Sequence, residues 1–194
     1  MTAEDFDNLL EIKFGLTRAD MLAALRTMPA IRPWAAELTA QEAALLDAAG
    51  FTEDPDAYAN VAARVLTHTG LLISTAVTAD EVAAALAVNE SRVRQRRLDG
   101  SLWAINANGR WLFPVMQFDE DPKTGARQQI RGLDQVFRAL PRDLHPVAVA
   151  GFLNTPHPDL TLANQPMSPT NWLRSGGDVA PVLRLVDAAN WATR

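Results

Sequence analysis

Hydrophobic positions from the N-terminus to Gly70 recur at helical spacing. Thr17 and Thr39 each precede an acidic residue three positions on, which is the arrangement of a capping box at the start of a helix. Positions 56–69 continue in helical period, and Gly70 is predicted to close that helix. The pattern predicts a helical N-terminal region over residues 1–70, acting as a scaffold or as a dimerisation layer.

Two short helices and a hairpin are predicted next. Thr78 and Asn89 are suited to N-cap positions, and the second helix should run over 90–98 and end before Gly100. The residues around Asn108-Gly109 then alternate as two short strands joined by a hairpin turn. A helix-turn-helix followed by a β-hairpin is a winged helix-turn-helix, which we assign to residues 71–118.

The last third predicts more helices. Residues 119–130 contain a run of charged residues with Pro and Gly, which indicates a linker. Residues 131–194 show helical apolar spacing interrupted by proline segments, so a small helical domain is expected there. The predicted fold class is therefore mainly α: a helical N-terminal region, a winged helix-turn-helix with a small β-hairpin, and a small helical C-terminal domain.

Charge is unevenly distributed along the chain. The formal net charge is -5, from 18 Lys and Arg against 23 Asp and Glu. Residues 1–60 carry four basic and eleven acidic residues, whereas residues 61–118 carry six basic and four acidic ones. Four of those six basic residues are arginines between positions 92 and 97. A local basic patch of this kind allows an acidic protein to bind nucleic acid.

The second short helix has a polar face suited to DNA. If Val93 points to the core, a rotation of about 100° per residue turns Ser91 and Gln95 outward, flanked by Arg92 and Arg94. Such side chains donate to phosphates and to base edges. Arg96 lies nearer the buried side and must extend outward, and Arg110 lies on the wing. The predicted DNA-contacting residues are Ser91, Arg92, Arg94, Gln95, Arg96 and Arg110.

Residues 78–114 resemble the excisionase- and MerR-like winged helix-turn-helix. The resemblance is confined to this segment, and similar units also serve as protein-interaction modules, so both interpretations stay open. The matching residues are Thr78, Glu81, Val82, Ala83, Leu86, Val88, Val93, Gly100, Leu102, Ala104 and the strand from Gly109 to Pro114.

A second resemblance lies in the C-terminal third. The segments FLNTPHPDL and PMSPTNWLRSGGDVAPVLRLVDAA occur there in that order. From position 131 to position 188 the chain resembles the C-terminal toxin-binding domain of Xre/MbcA/ParS-type antitoxins. It departs from the pattern at 161–164, where Thr-Leu-Ala-Asn replaces a Gly-Gly turn.

The second resemblance implies a function. The chain would be the antitoxin of a type II toxin–antitoxin system, which neutralises a RES-domain NAD-degrading toxin and binds operator DNA to repress its operon. It would not be an enzyme and would need no cofactor and no metal. Beyond what the resemblance implies, we hypothesise that the tail over 191–194, which ends in Arg and a carboxylate, reaches into a phosphate-binding pocket of the toxin. The candidate toxin-binding residues are Thr155, Pro156, His157, Pro158, Trp172, Trp191 and Arg194.

Other functions stay open at this point. The chain could be a transcriptional regulator without a toxin partner, or an interaction adaptor that does not bind DNA. A small enzyme is the weakest alternative, because the three histidines lack metal-ligand spacing and no catalytic motif is present. The lack of cysteine, of a membrane-length apolar run and of a signal peptide indicates a cytoplasmic protein. We expect a homodimer or a hetero-oligomer with the toxin.

Overall fold

The computed structural model describes residues 3–28, 39–50, 55–120 and 127–192. This part of the chain is mainly helical, as predicted, with small antiparallel hairpins. It divides into two units, residues 1–74 and residues 75–194. Among the helices described, none is both long enough and apolar enough to cross a membrane.

The first unit is built from helices whose starts follow the sequence prediction. The Thr17 hydroxyl accepts a hydrogen bond from the Asp20 N–H at 3.2 Å, and the Asp20 carboxylate accepts one from the Thr17 N–H at 3.0 Å. Thr39 and Glu42 form the same reciprocal pair. Both predicted capping boxes are therefore confirmed. The helices are α1 (Ala3–Phe14), α2 (Arg18–Thr27), α3 (Ala40–Ala48) and α4 (Pro55–Ser74).

Helix α4 does not end at Gly70, so that prediction was wrong. The helix continues through Gly70 to Ser74. A Cβ at position 70 would lie only 2.6 Å from Cδ1 of Leu16, whose side chain is buried. Glycine therefore allows Leu16 to pack closely against α4, at the cost of some helix propensity. As a result the first unit extends past the predicted boundary, to residue 74.

The second unit begins with two helices and a hairpin. The hairpin turn has positive φ at Asn108 (55°) and Gly109 (84°), as a type I′ turn requires. Val77, which precedes the first helix, exchanges two backbone hydrogen bonds of 2.9 and 2.8 Å with Phe113, just after the second strand. The elements are α5 (Ala79–Ala85), α6 (Glu90–Leu98), β1 (Ile105–Ala107) and β2 (Arg110–Leu112).

A small apolar core joins α5 and α6 to the segments that flank the hairpin. Val93 of α6 is fully buried, as its place on the helix predicted. It packs in one cluster with apolar side chains from α5 and from the segments before and after the hairpin. This core orients α6 relative to the hairpin. Its buried members are Val82, Ala83, Val93, Leu102, Phe113 and Phe118.

The segment predicted as a linker, residues 119–130, begins and ends in paired strands. Strand β3 (Phe118–Glu120) pairs antiparallel with β4 (Arg127–Gln129). Phe118 and Ile130 are both buried, which anchors the two ends of this segment in the fold. The composition of the segment, with its charged residues, Pro and Gly, gave no sign of this pairing.

The C-terminal part contains a hairpin that the sequence analysis did not predict. Its turn residues Ala163 and Asn164 have φ of 50° and 61°, so they form a type I′ turn without glycine. The predicted small helical domain therefore consists of helices and a two-stranded sheet. Its elements are α7 (Leu133–Ala139), α8 (Pro146–Asn154), β5 (His157–Leu162), β6 (Gln165–Met167), α9 (Pro169–Arg174) and α10 (Val179–Ala192).

A buried glutamine joins the first hairpin to the C-terminal helices. Gln117 is fully buried, and its Oε1 accepts a hydrogen bond from the Trp103 N–H at 3.0 Å. Its Nε2 donates to the carbonyls of Trp103 and Pro114 at 2.8 and 3.1 Å. The Trp103 ring lies 6.1 Å from the Phe137 ring in α7. The first hairpin and the C-terminal helices are thus packed together within the second unit.

Gly177→Ala is expected to destabilise the second unit. An added Cβ would lie 2.6 Å from Cδ2 of the rigid Trp172 indole. Because the indole would have to shift, and with it the bond from its Nε1 to the Asp178 carbonyl, the expected loss is about 1–3 kcal/mol. Urea denaturation followed by circular dichroism measures it.

Gly151→Ala is the matched control for this experiment. Gly151 lies inside α8, and no heavy atom beyond its own helix turn lies within 4 Å of an added Cβ. Alanine there should stabilise the protein by up to about 1 kcal/mol through helix propensity. Equal effects of the two substitutions would show that contact with Trp172 does not govern position 177.

Candidate nucleic-acid interface and partner-binding residues

The turn before α6 presents the first residues of that helix to solvent. Ala87 has φ of 52°, which reverses the chain after α5. Asn89 then caps α6, because its Oδ1 accepts a hydrogen bond from the Arg92 N–H at 2.8 Å. With Val93 buried below, the residues on either side of it in α6 are turned outward.

Four of the predicted residues form the exposed face of α6. Ser91, Arg92, Arg94 and Gln95 are all solvent-exposed. The Arg92 guanidinium donates to Oε1 of Gln95 at 2.7 Å, so these two side chains form a pair one turn apart. A guanidinium held in this way keeps further N–H donors for a ligand.

Arg96 faces the interior of the protein. Its guanidinium donates to Oε1 of Gln129 in β4 and to the Ser101 hydroxyl at 3.5 Å. Gln129 in turn donates to the Ser101 carbonyl at 2.6 Å. Burial lowers the pKa of Arg96. The structure therefore places this predicted DNA contact in a network that connects α6 to the second hairpin.

Arg97 was not among the predicted residues, but it borders the exposed face. Its guanidinium lies 3.9 Å from the centre of the Trp111 ring in β2, which is a cation–π contact. Arg94 and Arg97 line one groove with Trp111 between α6 and the hairpin. The signal in the sequence was their i, i+3 spacing, which places both on one side of the helix.

Arg110 is exposed at the first position of β2. The pKa of Asp80 at the start of α5 is lowered chiefly by a hydrogen bond from the Thr78 side chain, and the charge of Arg110 adds a small effect. Arg110 therefore lies within electrostatic range of α5. Of the predicted DNA contacts, four lie together on the exposed face of α6, Arg110 lies on the hairpin, and Arg96 is turned inward.

The C-terminal end of α6 is attached to the helices that follow. Arg142 donates to the Leu98 carbonyl at 3.0 Å. Asp99 accepts a hydrogen bond from the Ser101 N–H at 2.8 Å and lies 3.9 Å from the Arg138 guanidinium. Hydrogen bonds from Ser101, first from its side chain, lower the pKa of Asp99, and Arg138 adds to this effect.

The predicted toxin-binding residues around the prolines lie at the start of the third hairpin. Thr155 caps the end of α8, as the prolines predicted, and His157 is paired with Met167 across β5 and β6. Thr155, Pro156 and Pro158 are exposed, whereas His157 is partly buried. The His157 ring accepts a hydrogen bond from the Asp159 N–H at 3.2 Å.

Of the other predicted toxin-binding residues, one is partly buried and two have side chains outside the described residues. Trp172 is partly buried and donates from Nε1 to the Asp178 carbonyl at 2.7 Å, so it closes the turn between α9 and α10. Trp191 lies in the last turn of α10, but its side chain is outside the described residues, as is Arg194. Within residues 3–28, 39–50, 55–120 and 127–192, no cluster of three His, Asp or Glu side chains is placed to hold a metal ion.

Comparisons with protein-family models, with curated proteins and with solved structures gave no match to this chain.

Asp99→Asn tests how the end of α6 is held. Because the folded pKa of Asp99 is lowered, its charge contributes stability above the unfolded pKa, and that contribution is lost as the pH falls through the folded pKa. Because the Asp99–Arg138 pair is exposed, we expect Asp99→Asn to lower the free energy of unfolding by less than about 1 kcal/mol at pH 7. The free energies of unfolding of the two proteins should converge in acid. A gap that is equal at every pH would contradict the charge-based account.

Proposed function

We propose that this protein is an antitoxin that binds operator DNA through α6 and the first hairpin, and a RES-domain NAD-degrading toxin through its C-terminal part. The observation that carries the DNA-binding half is the exposed face of α6. It presents Ser91, Arg92, Arg94 and Gln95 to solvent while Val93 anchors the helix beneath. The toxin-binding half rests on the resemblance of the C-terminal sequence.

The arrangement of α5, α6 and the first hairpin supports a winged helix-turn-helix. Two short helices meet at a tight turn, and the hairpin returns to pair with the segment before α5. In such units the second helix enters the major groove and the hairpin follows the backbone. An exposed Arg–Gln pair on that helix is suited to guanine and adenine edges.

The surface at the third hairpin supports a protein partner. The exposed Pro156 and Pro158 lie where α8 passes into β5, and Leu162 at the far end of β5 is also exposed. Helix α9 packs against β5, so the two sequence segments of the resemblance form one local structure. Rigid, exposed residues of this kind lose little entropy when a partner covers them.

Two other functions compete with this one. A transcriptional regulator without a toxin would bind DNA in the same way but would not inhibit NAD consumption. An adaptor that does not bind DNA would keep the same fold but would show no salt-sensitive affinity for duplexes. The two measurements below separate these functions from the proposed one.

The DNA-binding half predicts a strong salt dependence. The probe is the duplex immediately upstream of the protein's own reading frame, with an unrelated duplex of equal length for comparison. Because Arg96 is turned inward, about three phosphate contacts per protomer are expected, which give a slope of log K against log salt of about -3. Arg92→Ala should weaken binding to the upstream duplex by about 1–3 kcal/mol and reduce the preference between duplexes. Fluorescence anisotropy between roughly 50 and 200 mM salt measures both.

The control removes an exposed arginine from a helix that is not part of the proposed DNA-binding unit. Arg184 is exposed in α10, and Arg184→Ala changes the net charge by the same amount as Arg92→Ala. It should leave the preference between the duplexes unchanged. A flat salt dependence of the wild-type protein would refute DNA binding and favour the adaptor.

The toxin-binding half predicts that the C-terminal tail is needed for inhibition. The measurement is the rate of NAD consumption by a RES-domain toxin encoded beside this protein, titrated with the full chain and with a chain lacking residues 191–194. The truncated chain should still co-purify with the toxin but inhibit it at least about tenfold less well, because one hot-spot contact is lost. Full inhibition by the truncated chain would contradict the role of the tail.

A further inference from the structure

The exposed surface of α6 has two sides with different chemistry. On the side of the turn, Arg92 is paired with Gln95. On the side of the hairpin, Arg94 and Arg97 line a groove closed by Trp111 of β2. Ser91 borders both sides. The α6 residues on the two sides therefore need not do the same work when a ligand covers the helix.

The groove on the hairpin side holds two guanidinium groups that the protein itself leaves available. Within the part of the chain that the structure describes, neither Arg94 nor Arg97 forms a hydrogen bond or an ion pair. Three other arginine side chains of α6 and its surroundings, Arg92, Arg96 and Arg142, are all hydrogen-bonded. Two like charges at i, i+3 on a helix repel each other, and a bound anion relieves that repulsion.

Arg97 also contacts an aromatic side chain of the hairpin. Its guanidinium lies over the Trp111 ring, 3.9 Å from the ring centre. A guanidinium over an aromatic ring keeps N–H donors that can reach an anion beside the ring. Trp111 is still 39% exposed, so part of the indole is open to a ligand. One acid, Glu90, also lines the groove, so the two arginines leave it with a net positive charge.

We infer that this groove binds the sugar–phosphate backbone of one DNA strand, with Arg94 and Arg97 donating to phosphate oxygens and Trp111 packing against the sugar. A flat apolar ring beside two cations matches the alternation of sugar and phosphate along a strand. The bases are then read from the other side of α6, by Arg92 and Gln95. This inference rests on the proposed DNA binding and adds Arg97 and Trp111 to the contacts.

The test compares Arg97→Gln, Arg97→Lys, Trp111→Ala and Trp111→Phe with the wild-type protein. Each is titrated with the upstream duplex and with the unrelated duplex over the same salt range. Arg97→Gln should weaken binding to both duplexes by the same factor, on the order of tenfold, and make the salt slope shallower by about 1. Arg97→Lys should retain the slope, since the charge remains. Trp111→Ala should weaken binding to both duplexes by the same factor, and Trp111→Phe should keep most of the wild-type affinity.

Thermal unfolding of each variant accompanies the titrations, so that binding is compared only among folded proteins. If Arg97→Gln fails to fold, Trp111→Ala decides: equal weakening of binding to both duplexes supports the inference, and unchanged binding overturns it. An unchanged affinity and slope for folded Arg97→Gln overturns the inference while leaving the proposed function intact. A loss confined to the upstream duplex also overturns it, since Arg97 would then read bases. If the wild-type protein binds neither duplex, the proposed DNA binding fails and the inference with it.

Discussion

The buried amide of Gln117 is the interaction on which the second unit depends. A polar side chain that is fully buried costs free energy unless its donors and acceptors are used. Here Oε1 accepts from the Trp103 N–H, and Nε2 donates to two carbonyls. Its own backbone carbonyl accepts from the Ile130 N–H at 3.0 Å. One residue thereby holds together the segment before the first hairpin, the segment after it and the segment before α7.

Local signals predicted the elements around α6 well. The caps at Thr78 and Asn89, the helix over 90–98 and the Asn108-Gly109 turn all depend on residues close together in the sequence. Such short-range hydrogen bonds and backbone preferences are encoded by the residue types themselves. The exposure of Ser91, Arg92, Arg94 and Gln95 followed from the helical period, once Val93 was assigned to the core.

What the sequence did not reveal depends on contacts between distant residues. Gly70 looks like a helix stop, but its role is to make room for Leu16, which lies far earlier in the chain. Arg96 looks like a surface arginine until Gln129 is placed beside it. The third hairpin is a local feature and was missed for a different reason, because its turn uses Ala163 and Asn164 in place of glycine. Pairing at long range leaves no regular spacing to detect.

The attachment of α6 to later parts of the chain has a consequence for modularity. Trp103 packs on the C-terminal core, and Arg96, Leu98 and Asp99 all have partners beyond residue 118. The two sequence resemblances describe neighbouring modules, yet the fold shares side chains across the junction. If recombination joined either half to a different partner domain, the side chains at the junction would lose the residues that they now contact. The two halves are therefore expected to diverge together, as a single packing unit.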